Sequence, residues 1–84
     1  MPEEKILVYG VNWCGDCRRA RQFLQQNNII FDFVNIDYDK NGESFVIKTN
    51  KGMRSVPTIV FPDGTILIEP SNRQLAKQLN IPQG

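Results

Sequence analysis

Residues 6–17 read ILVYGVNWCGDC and join an apolar, strand-forming run to a closely spaced pair of cysteines. The run Ile6–Tyr9 is continuously apolar and ends at Gly10, a pattern typical of a strand that is covered on both faces and lies, parallel to a neighbour, at the centre of a sheet. The segment from about Gly15 to Asn28 contains no proline, which favours a helix. Three of its residues share one helical face: Cys17, Ala20 and Leu24. The stretch therefore predicts a buried strand that leads through a cysteine-bearing loop into an amphipathic helix.

The middle of the chain continues this alternation of strand and helix. Phe31–Ile36 is rich in β-formers and predicts a second strand, followed by a turn over 37–41. A second, shorter helix is predicted from about Gly42 to Lys51, with Gly52 as its left-handed C′ residue. The buried side chains of this helix would be Phe45, Val46 and Thr49.

The last part of the chain predicts a hairpin and a final helix. Two β-rich runs, Thr58–Phe61 and Thr65–Ile68, flank Pro62-Asp63-Gly64, which indicates an antiparallel connection. Ser71 and Gln74 match a capping box that starts a helix ending before Pro82. Its apolar stripe would be Leu75, Ala76 and Leu79. The predicted order is therefore βαβαββα, an α/β fold with a mixed sheet.

Length and charge limit the classes of function. The chain has 84 residues, 40% of them hydrophobic, and no linker or repeat, so residues 1–84 are expected to form one domain and a monomer. Ten Lys and Arg residues against nine Asp and Glu give a net charge of +1 without a basic run, which argues against a nucleic-acid partner. The acidic start precedes only four apolar residues, Ile6–Tyr9, too few for a signal peptide or a membrane span. We therefore expect a cytoplasmic protein without a membrane-embedded part.

Cys14 and Cys17 are the two cysteines of the chain, and their spacing points to redox chemistry. Cys14 is expected at the N terminus of the first helix, where free N–H groups and the helix dipole favour a thiolate, so it is the predicted nucleophile. Cys17 lies one turn later on the buried face and is the predicted resolving thiol, shielded but ready to attack a mixed disulfide on Cys14. The pair would then form the redox-active disulfide of a thiol–disulfide oxidoreductase.

A pair of cysteines has three other common uses in proteins. A purely structural disulfide across so short a loop would remove only about 2 kcal/mol of unfolded-state entropy. A zinc site needs about four ligands, and the chain has no histidine and no third cysteine. An iron–sulfur cluster shared across a dimer would need thiolates from outside the chain. We therefore predict no metal at this site.

The residues around the cysteines each have a plain and a functional interpretation. Trp13, the single tryptophan, is either a core aromatic or a shield on one side of the thiolate. Asp16 is either a favourable acid in the first helical turn or a charge that opposes the Cys14 thiolate. Three arginines are either a solvated helix face or a partial offset to Asp16 that attracts anionic thiols: Arg18, Arg19 and Arg21.

The motif Cys14-Gly15-Asp16-Cys17 after a first strand, with Ser55-Val56-Pro57-Thr58 before the third, resembles the thioredoxin fold and, within it, the glutaredoxins. The resemblance spans nearly the whole chain and implies four mixed strands flanked by helices. It also implies a cis Val56–Pro57 bond facing the cysteines, with the Val56 backbone free to pair with a substrate.

Within that family, three segments are most similar to the mycoredoxins: WCGDC (13–17), NKGMRSVPT (50–58) and DGT (63–65). This similarity implies reduction of protein disulfides and of mixed disulfides between proteins and a low-molecular-weight thiol, either glutathione or a mycothiol-like compound. That thiol would be a co-substrate, and no cofactor would be bound.

Two positions depart from the pattern of many glutaredoxins. Val11 stands where they place a lysine that holds the thiol's carboxylate, and Glu69-Pro70 replaces their Gly-Gly. Ser71 and Asn72 remain at a helix N terminus suited to an anion, although Ser71 also reads as a plain N-cap.

Arg54 and Lys51 flank the Val56-Pro57 loop and are candidate thiol contacts or simply solvated charges. A related alternative for the whole protein is a redoxin that is fed by the flavoenzyme thioredoxin reductase and supplies electrons to ribonucleotide reductase. An alternative from another class is a metal or iron–sulfur carrier.

Overall fold

The computed structural model describes residues 5–82. The elements are β1 (Ile6–Gly10), α1 (Gly15–Gln26), β2 (Phe31–Asn35), α2 (Lys40–Thr49), β3 (Thr58–Val60), β4 (Ile66–Ile68) and α3 (Asn72–Leu79). The predicted order βαβαββα is confirmed.

The four strands form one mixed sheet in the order β2-β1-β3-β4. β1 runs parallel to β2, with Val8 opposite Phe33, and antiparallel to β3, with Val8 opposite Ile59. The predicted hairpin is the antiparallel pair β3–β4. β1 therefore lies inside the sheet, as its apolar run indicated. The cysteine loop follows its C-terminal end, between the ends of the neighbouring strands.

Helices cover both faces of this sheet. α1 and α3 pack against one face, in a cluster that includes Val8, Leu24, Ile59 and Leu75, all fully buried. α2 packs on the other face, where Val46 joins Val11 and Ile36 and the Tyr9 and Phe45 rings stack at 4.8 Å. Cys14 and Val56 border this second cluster, so the cysteine loop and the proline loop share one apolar support.

The second helix begins and ends differently from its prediction. It starts at Lys40 because Asp39 is its N-cap, with the carboxylate accepting the Gly42 N–H at 2.8 Å. It ends at Thr49, and Lys51 and Gly52 are both left-handed (φ +56° and +96°). Gly52 is therefore one residue beyond the C′ position, and its N–H donates to the Ile47 carbonyl at 2.7 Å, as in a Schellman motif.

Other differences are smaller. α1 ends at Gln26, before the predicted Asn28, and Phe45 is only half-buried. In β1, Leu7 and Tyr9 are half-buried, on the face that α2 alone covers, whereas α1 and α3 together cover the other face. None of the helices within residues 5–82 is both long enough and apolar enough to cross a membrane.

Candidate active site

Cys14 is the N-cap of α1, where its extended backbone (φ −94°, ψ 121°) leaves the sulfur in front of the first helical turn. The backbone N–H of Cys17 donates to the Cys14 Sγ at 3.3 Å. Cys14 is half-buried, whereas Cys17 is buried. A helix N terminus and an N–H donor both favour negative charge on the sulfur, which is the requirement for a nucleophilic thiolate.

Cys17 is fully buried beneath it. Burial, above all, raises the pKa of this thiol to about 12; a backbone hydrogen bond from Val11 opposes the rise, and a hydrogen bond to Cys14 adds to it. Gly10 makes room for the sulfur, since a Cβ on that glycine would lie 2.7 Å from the Cys17 Sγ. Cys17 is therefore a confined, protonated thiol at neutral pH.

The proline loop lies on the same support as Cys14. The Val56–Pro57 bond is cis, as the family resemblance implied. Val56 packs against the cluster that contains Val11, while Pro57 is fully buried and its carbonyl accepts the Glu69 N–H at 2.8 Å. Cys14 and Val56 therefore border the same apolar cluster, and Glu69, the residue after β4, is hydrogen-bonded to the proline loop.

Thr58 is a second anchor of this loop, which sequence reasoning missed. Its hydroxyl is fully buried, donates to the Ser55 carbonyl at 2.8 Å and accepts from the Asn50 amide at 3.2 Å. A threonine at the start of a buried strand was the available signal, because a buried hydroxyl requires a partner.

Trp13 is 72% exposed, so its interpretation as a core aromatic is wrong. Its Nε1–H donates to Asp37 at 2.9 Å, and Arg54 donates at 2.7 Å both to Asp37 and to Glu43. The guanidinium of Arg54 is therefore already bound to two carboxylates rather than free in solvent. The hydrogen bonds from Arg54 and Trp13 hold the pKa of Asp37 below its ordinary value. Asp37 and Glu43 had no local signal, since their partners are distant in sequence.

The N terminus of α3 begins at Ser71, two residues after Glu69, whose N–H is bonded to the proline loop. The Ser71 hydroxyl accepts the Gln74 N–H at 3.1 Å, and the Gln74 side chain accepts the Ser71 N–H at 2.8 Å, so the predicted capping box is confirmed. The hydroxyl is engaged in capping, whereas the carboxamide of Asn72 is turned toward α1. Lys51 is exposed beyond the end of α2.

Arg19 connects the cysteine helix to α3. Its guanidinium donates to the Asn72 side chain at 2.8 Å and to the Pro70 carbonyl at 2.9 Å, and it lies 3.7 Å from Asp16. Asp16 is thus offset by Arg19, as one interpretation of the arginines predicted. Arg18 is exposed and fits the other interpretation, a solvated helix face.

Arg21 is not part of a solvated face. Its guanidinium lies 4.0 Å from the centre of the Phe33 ring, and its Nε is buried without a hydrogen-bond partner. Within residues 5–82, no three His, Cys, Asp or Glu side chains are grouped to hold a metal ion.

Comparison with known proteins agrees with this geometry. Residues 6–66 match the glutaredoxin family model. A protein of Mycobacterium tuberculosis, provisionally named a glutaredoxin, is 36% identical over 74 residues, which is 88% of each chain. Mycoredoxin 1 of Corynebacterium glutamicum is 31% identical over 65 residues, covering 77% of this chain and 80% of that one.

Solved structures agree on the fold. A mutant of a thioredoxin-like protein superimposes with a TM-score of 0.82 and 27% identity, over 93% of this chain and 97% of the other. A glutaredoxin from Archaeoglobus fulgidus gives a TM-score of 0.73 at 24% identity, over 90% and 86% of the two chains. The predicted thioredoxin-like fold is confirmed.

Proposed function

Because this chain belongs to the glutaredoxin family, we propose that it reduces disulfides through Cys14 and Cys17, with a small thiol as its reductant. The substrates would be mixed disulfides between proteins and that thiol, and protein disulfides. The observation that carries the proposal is the pairing of a half-buried cysteine at a helix N terminus with a fully buried cysteine one turn later. The reaction needs a steady supply of reducing equivalents, which favours the cytoplasm.

In the first step the Cys14 thiolate attacks one sulfur of the substrate disulfide. A new S–S bond forms to Cys14, the old S–S bond breaks, and the other sulfur leaves as a thiolate that takes up a proton. In the second step Cys17 loses its proton and attacks the Cys14 sulfur. The Cys14–Cys17 disulfide forms and the second substrate thiol is released, so two electrons have passed to the substrate.

The high pKa of Cys17 suits this order of events. Part of the rise comes from the hydrogen bond to Cys14 and from the charge on Cys14. Both contributions end once the Cys14 sulfur is bound in a mixed disulfide, because it then carries no charge. The resolving thiol therefore becomes easier to deprotonate at the step that uses it.

Two molecules of the small thiol would return the enzyme to the dithiol, leaving as their own disulfide. Val11 is an apolar, fully buried residue at the position where many glutaredoxins have a lysine, so this position offers no cation for the thiol's carboxylate. The N terminus of α3 and the Arg19 guanidinium supply positive potential nearby. This arrangement, with the mycoredoxin relative, supports a thiol whose anionic or hydroxyl-rich group docks near Ser71 and Asn72.

Turnover by single-cysteine variants tests the proposal. Cys14→Ser should abolish all reduction, whereas Cys17→Ser should still reduce a small mixed disulfide but lose most reduction of protein disulfides. Alkylation at pH 7 should modify Cys14 alone in the reduced protein, since Cys17 is protonated and buried. Equal loss in both variants on a small mixed disulfide would contradict the assigned roles.

The electron donor is identified in the same assay by comparing glutathione, other cellular thiols and thioredoxin reductase. Asn72→Asp should lower turnover with the preferred thiol without lowering Tm, because it would form an ion pair with Arg19 and place a carboxylate at the docking site. Unchanged turnover in this variant, together with efficient reduction by the flavoenzyme, would favour the thioredoxin-reductase-dependent redoxin instead.

A further inference from the structure

Arg21 lies close to the buried thiol of Cys17. It follows Cys17 by four residues on α1, and a helical side chain leans back toward the turn that precedes it. The guanidinium lies 4.0 Å from the centre of the Phe33 ring. Phe33 and Cys17 meet at Gly10, where a Cβ would lie 3.3 Å from the Phe33 ring and 2.7 Å from the Cys17 Sγ. Arg21 therefore stacks on a ring that borders the buried sulfur.

The charge of Arg21 is not matched by a carboxylate in the described part of the chain. None of the salt bridges among residues 5–82 includes Arg21, and its Nε is buried without a hydrogen-bond partner. Arg19 and Arg54, by contrast, each contact a carboxylate. Buried donors in proteins are nearly always paired, so an unpaired one requires an explanation. An anion that forms only during the reaction would supply the missing partner.

The thiolate of Cys17 is such an anion. Burial, the largest influence, raises the pKa of this thiol to about 12, whereas a backbone hydrogen bond from Val11 and the charge of Arg21 lower it. Cys14 also raises the pKa, but this contribution ends once the Cys14 sulfur is bound in a mixed disulfide. Among the described residues, Arg21 then carries the one full charge that acts on the Cys17 sulfur.

The elements packed around Cys17 present no second cation to it within residues 5–82. β1 and β2 contribute the Gly10 backbone and the Phe33 ring. The core clusters on the two faces of the sheet consist of apolar residues. On α1, the charged neighbours Asp16 and Arg18 are exposed. The charge that Arg21 supplies is therefore not duplicated by another side chain.

We propose that Arg21, held in place by the Phe33 ring, stabilises the Cys17 thiolate that resolves a mixed disulfide on Cys14. This inference rests on the proposed function, because it concerns the second step of that reaction. The Cys17 thiol gives its proton to solvent and its sulfur forms a bond to the Cys14 sulfur. The substrate sulfur leaves with the electron pair of the broken S–S bond and takes up a proton. Arg21 forms and breaks no bond, and it acts through its charge on the attacking thiolate.

Removing this charge should slow the second step and leave the first step intact. In a single turnover at pH 7, Arg21→Met should release the second thiol of a protein disulfide about three- to tenfold more slowly than wild type. The thiolate fraction falls, while the thiolate that remains is somewhat more nucleophilic, which limits the loss of rate. In the Cys17→Ser background, which uses Cys14 alone, Arg21→Met should not change the reduction of a small mixed disulfide.

The titration of Cys17 separates an effect of charge from an effect of packing. In Cys14→Ser, Cys17 is the single thiol of the chain, and the NMR carbon shift of its Cβ follows its ionisation. Adding Arg21→Met should raise the midpoint of this titration, and Arg21→Lys should keep most of the wild-type midpoint because lysine retains the charge. Arg18→Gln is the matched control, since it removes an exposed arginine from the same helix and should leave the midpoint unchanged.

The outcomes distinguish the two proposals. If wild-type protein reduces no disulfide, the proposed function fails, and the titration still shows whether Arg21 acts on the thiol because it needs no turnover. If disulfides are reduced but folded Arg21→Met leaves the midpoint of Cys17 unchanged, or Arg18→Gln moves it as far, only the role of Arg21 is wrong. Should Arg21→Met unfold, the nitrogen shift of the Arg21 Nε in Cys14→Ser takes its place. That shift should change with the same midpoint as the Cys17 Cβ, and a constant shift would contradict the proposal.

Discussion

Gly10→Ala should displace Cys17, the proposed resolving cysteine. The added methyl group would lie 2.7 Å from the Cys17 Sγ and 3.3 Å from both the Cys17 Cβ and the Phe33 ring. Cys17 is fully buried, so its sulfur has no solvent-filled space into which it can move. Overpacking of this kind costs about 1–3 kcal/mol, and the smaller entropy of the unfolded alanine chain offsets about 0.4–1 kcal/mol of that loss.

Urea denaturation of the reduced protein measures this cost as a lower midpoint at an unchanged m-value. The same change in the Cys17→Ala background should cost about 1 kcal/mol less, because the closest atom, the sulfur, is gone. In turnover assays, Gly10→Ala should slow the reduction of protein disulfides more than that of a small mixed disulfide.

Gly42→Ala is the matched control. Its methyl group would lie 2.8 Å from a Val34 methyl, so it is also overpacked, but its contact lies between α2 and β2. It should lower stability without coupling to Cys17→Ala and without changing the ratio of the two activities. Equal costs of Gly10→Ala with and without the Cys17 sulfur would refute the argument that this contact sets the position of the thiol.

The backbone of Glu69 is left-handed (φ +51°), a conformation that glycine adopts more easily than glutamate. Glu69→Gly should therefore raise the free energy of unfolding, measured by urea denaturation, by about 0.5–1 kcal/mol. Asp16→Asn removes a negative charge near the Cys14 thiolate, which should make the reduction potential less negative in a thiol-buffer titration; a more negative value would show that losing the contact with Arg19 dominates. The pKa of Asp37 is lowered, so its hydrogen bond from Trp13 should persist as the pH falls and be lost only when the carboxylate becomes protonated. The fluorescence of Trp13 should therefore stay constant from pH 7 to about 4 and change at lower pH. A midpoint above about pH 4 would contradict the assigned hydrogen bonds of Asp37 with Trp13 and Arg54.

The features that could be predicted from the sequence depend on neighbouring residues. The capping box of Ser71 and Gln74 spans one helical turn, and the apolar run of β1 is itself the cause of its central place. The predicted start of α2, Gly42, lies after the observed start, Lys40, because Asp39, the N-cap, stands in a stretch rich in turn-forming residues. The cysteine positions followed from a strand meeting a helix, which is also a local signal.

The parts that escaped prediction depend on long-range contacts. Arg19 and Asn72 are 53 residues apart, Trp13 and Asp37 are 24 apart, and Arg54 and Asp37 are 17 apart. Trp13 could be predicted equally well as a core aromatic or as a shield beside Cys14, because tryptophan is often but not always buried. The exposed position follows from a partner for its Nε1–H outside the core, and no local pattern reveals that partner.

The sulfur of Cys14 caps the N terminus of α1 and belongs to the proposed nucleophile. Serine is among the preferred N-caps, so Cys14→Ser removes the proposed nucleophile while keeping an acceptor for the Cys17 N–H, whereas Cys14→Ala removes both. The difference in unfolding free energy between the two variants measures how much the reactive atom contributes to folding. When that sulfur enters a disulfide it becomes a weaker acceptor, so oxidation and folding are thermodynamically linked: the redox state of the protein should be readable in the hydrogen-exchange rate of a single amide, that of Cys17.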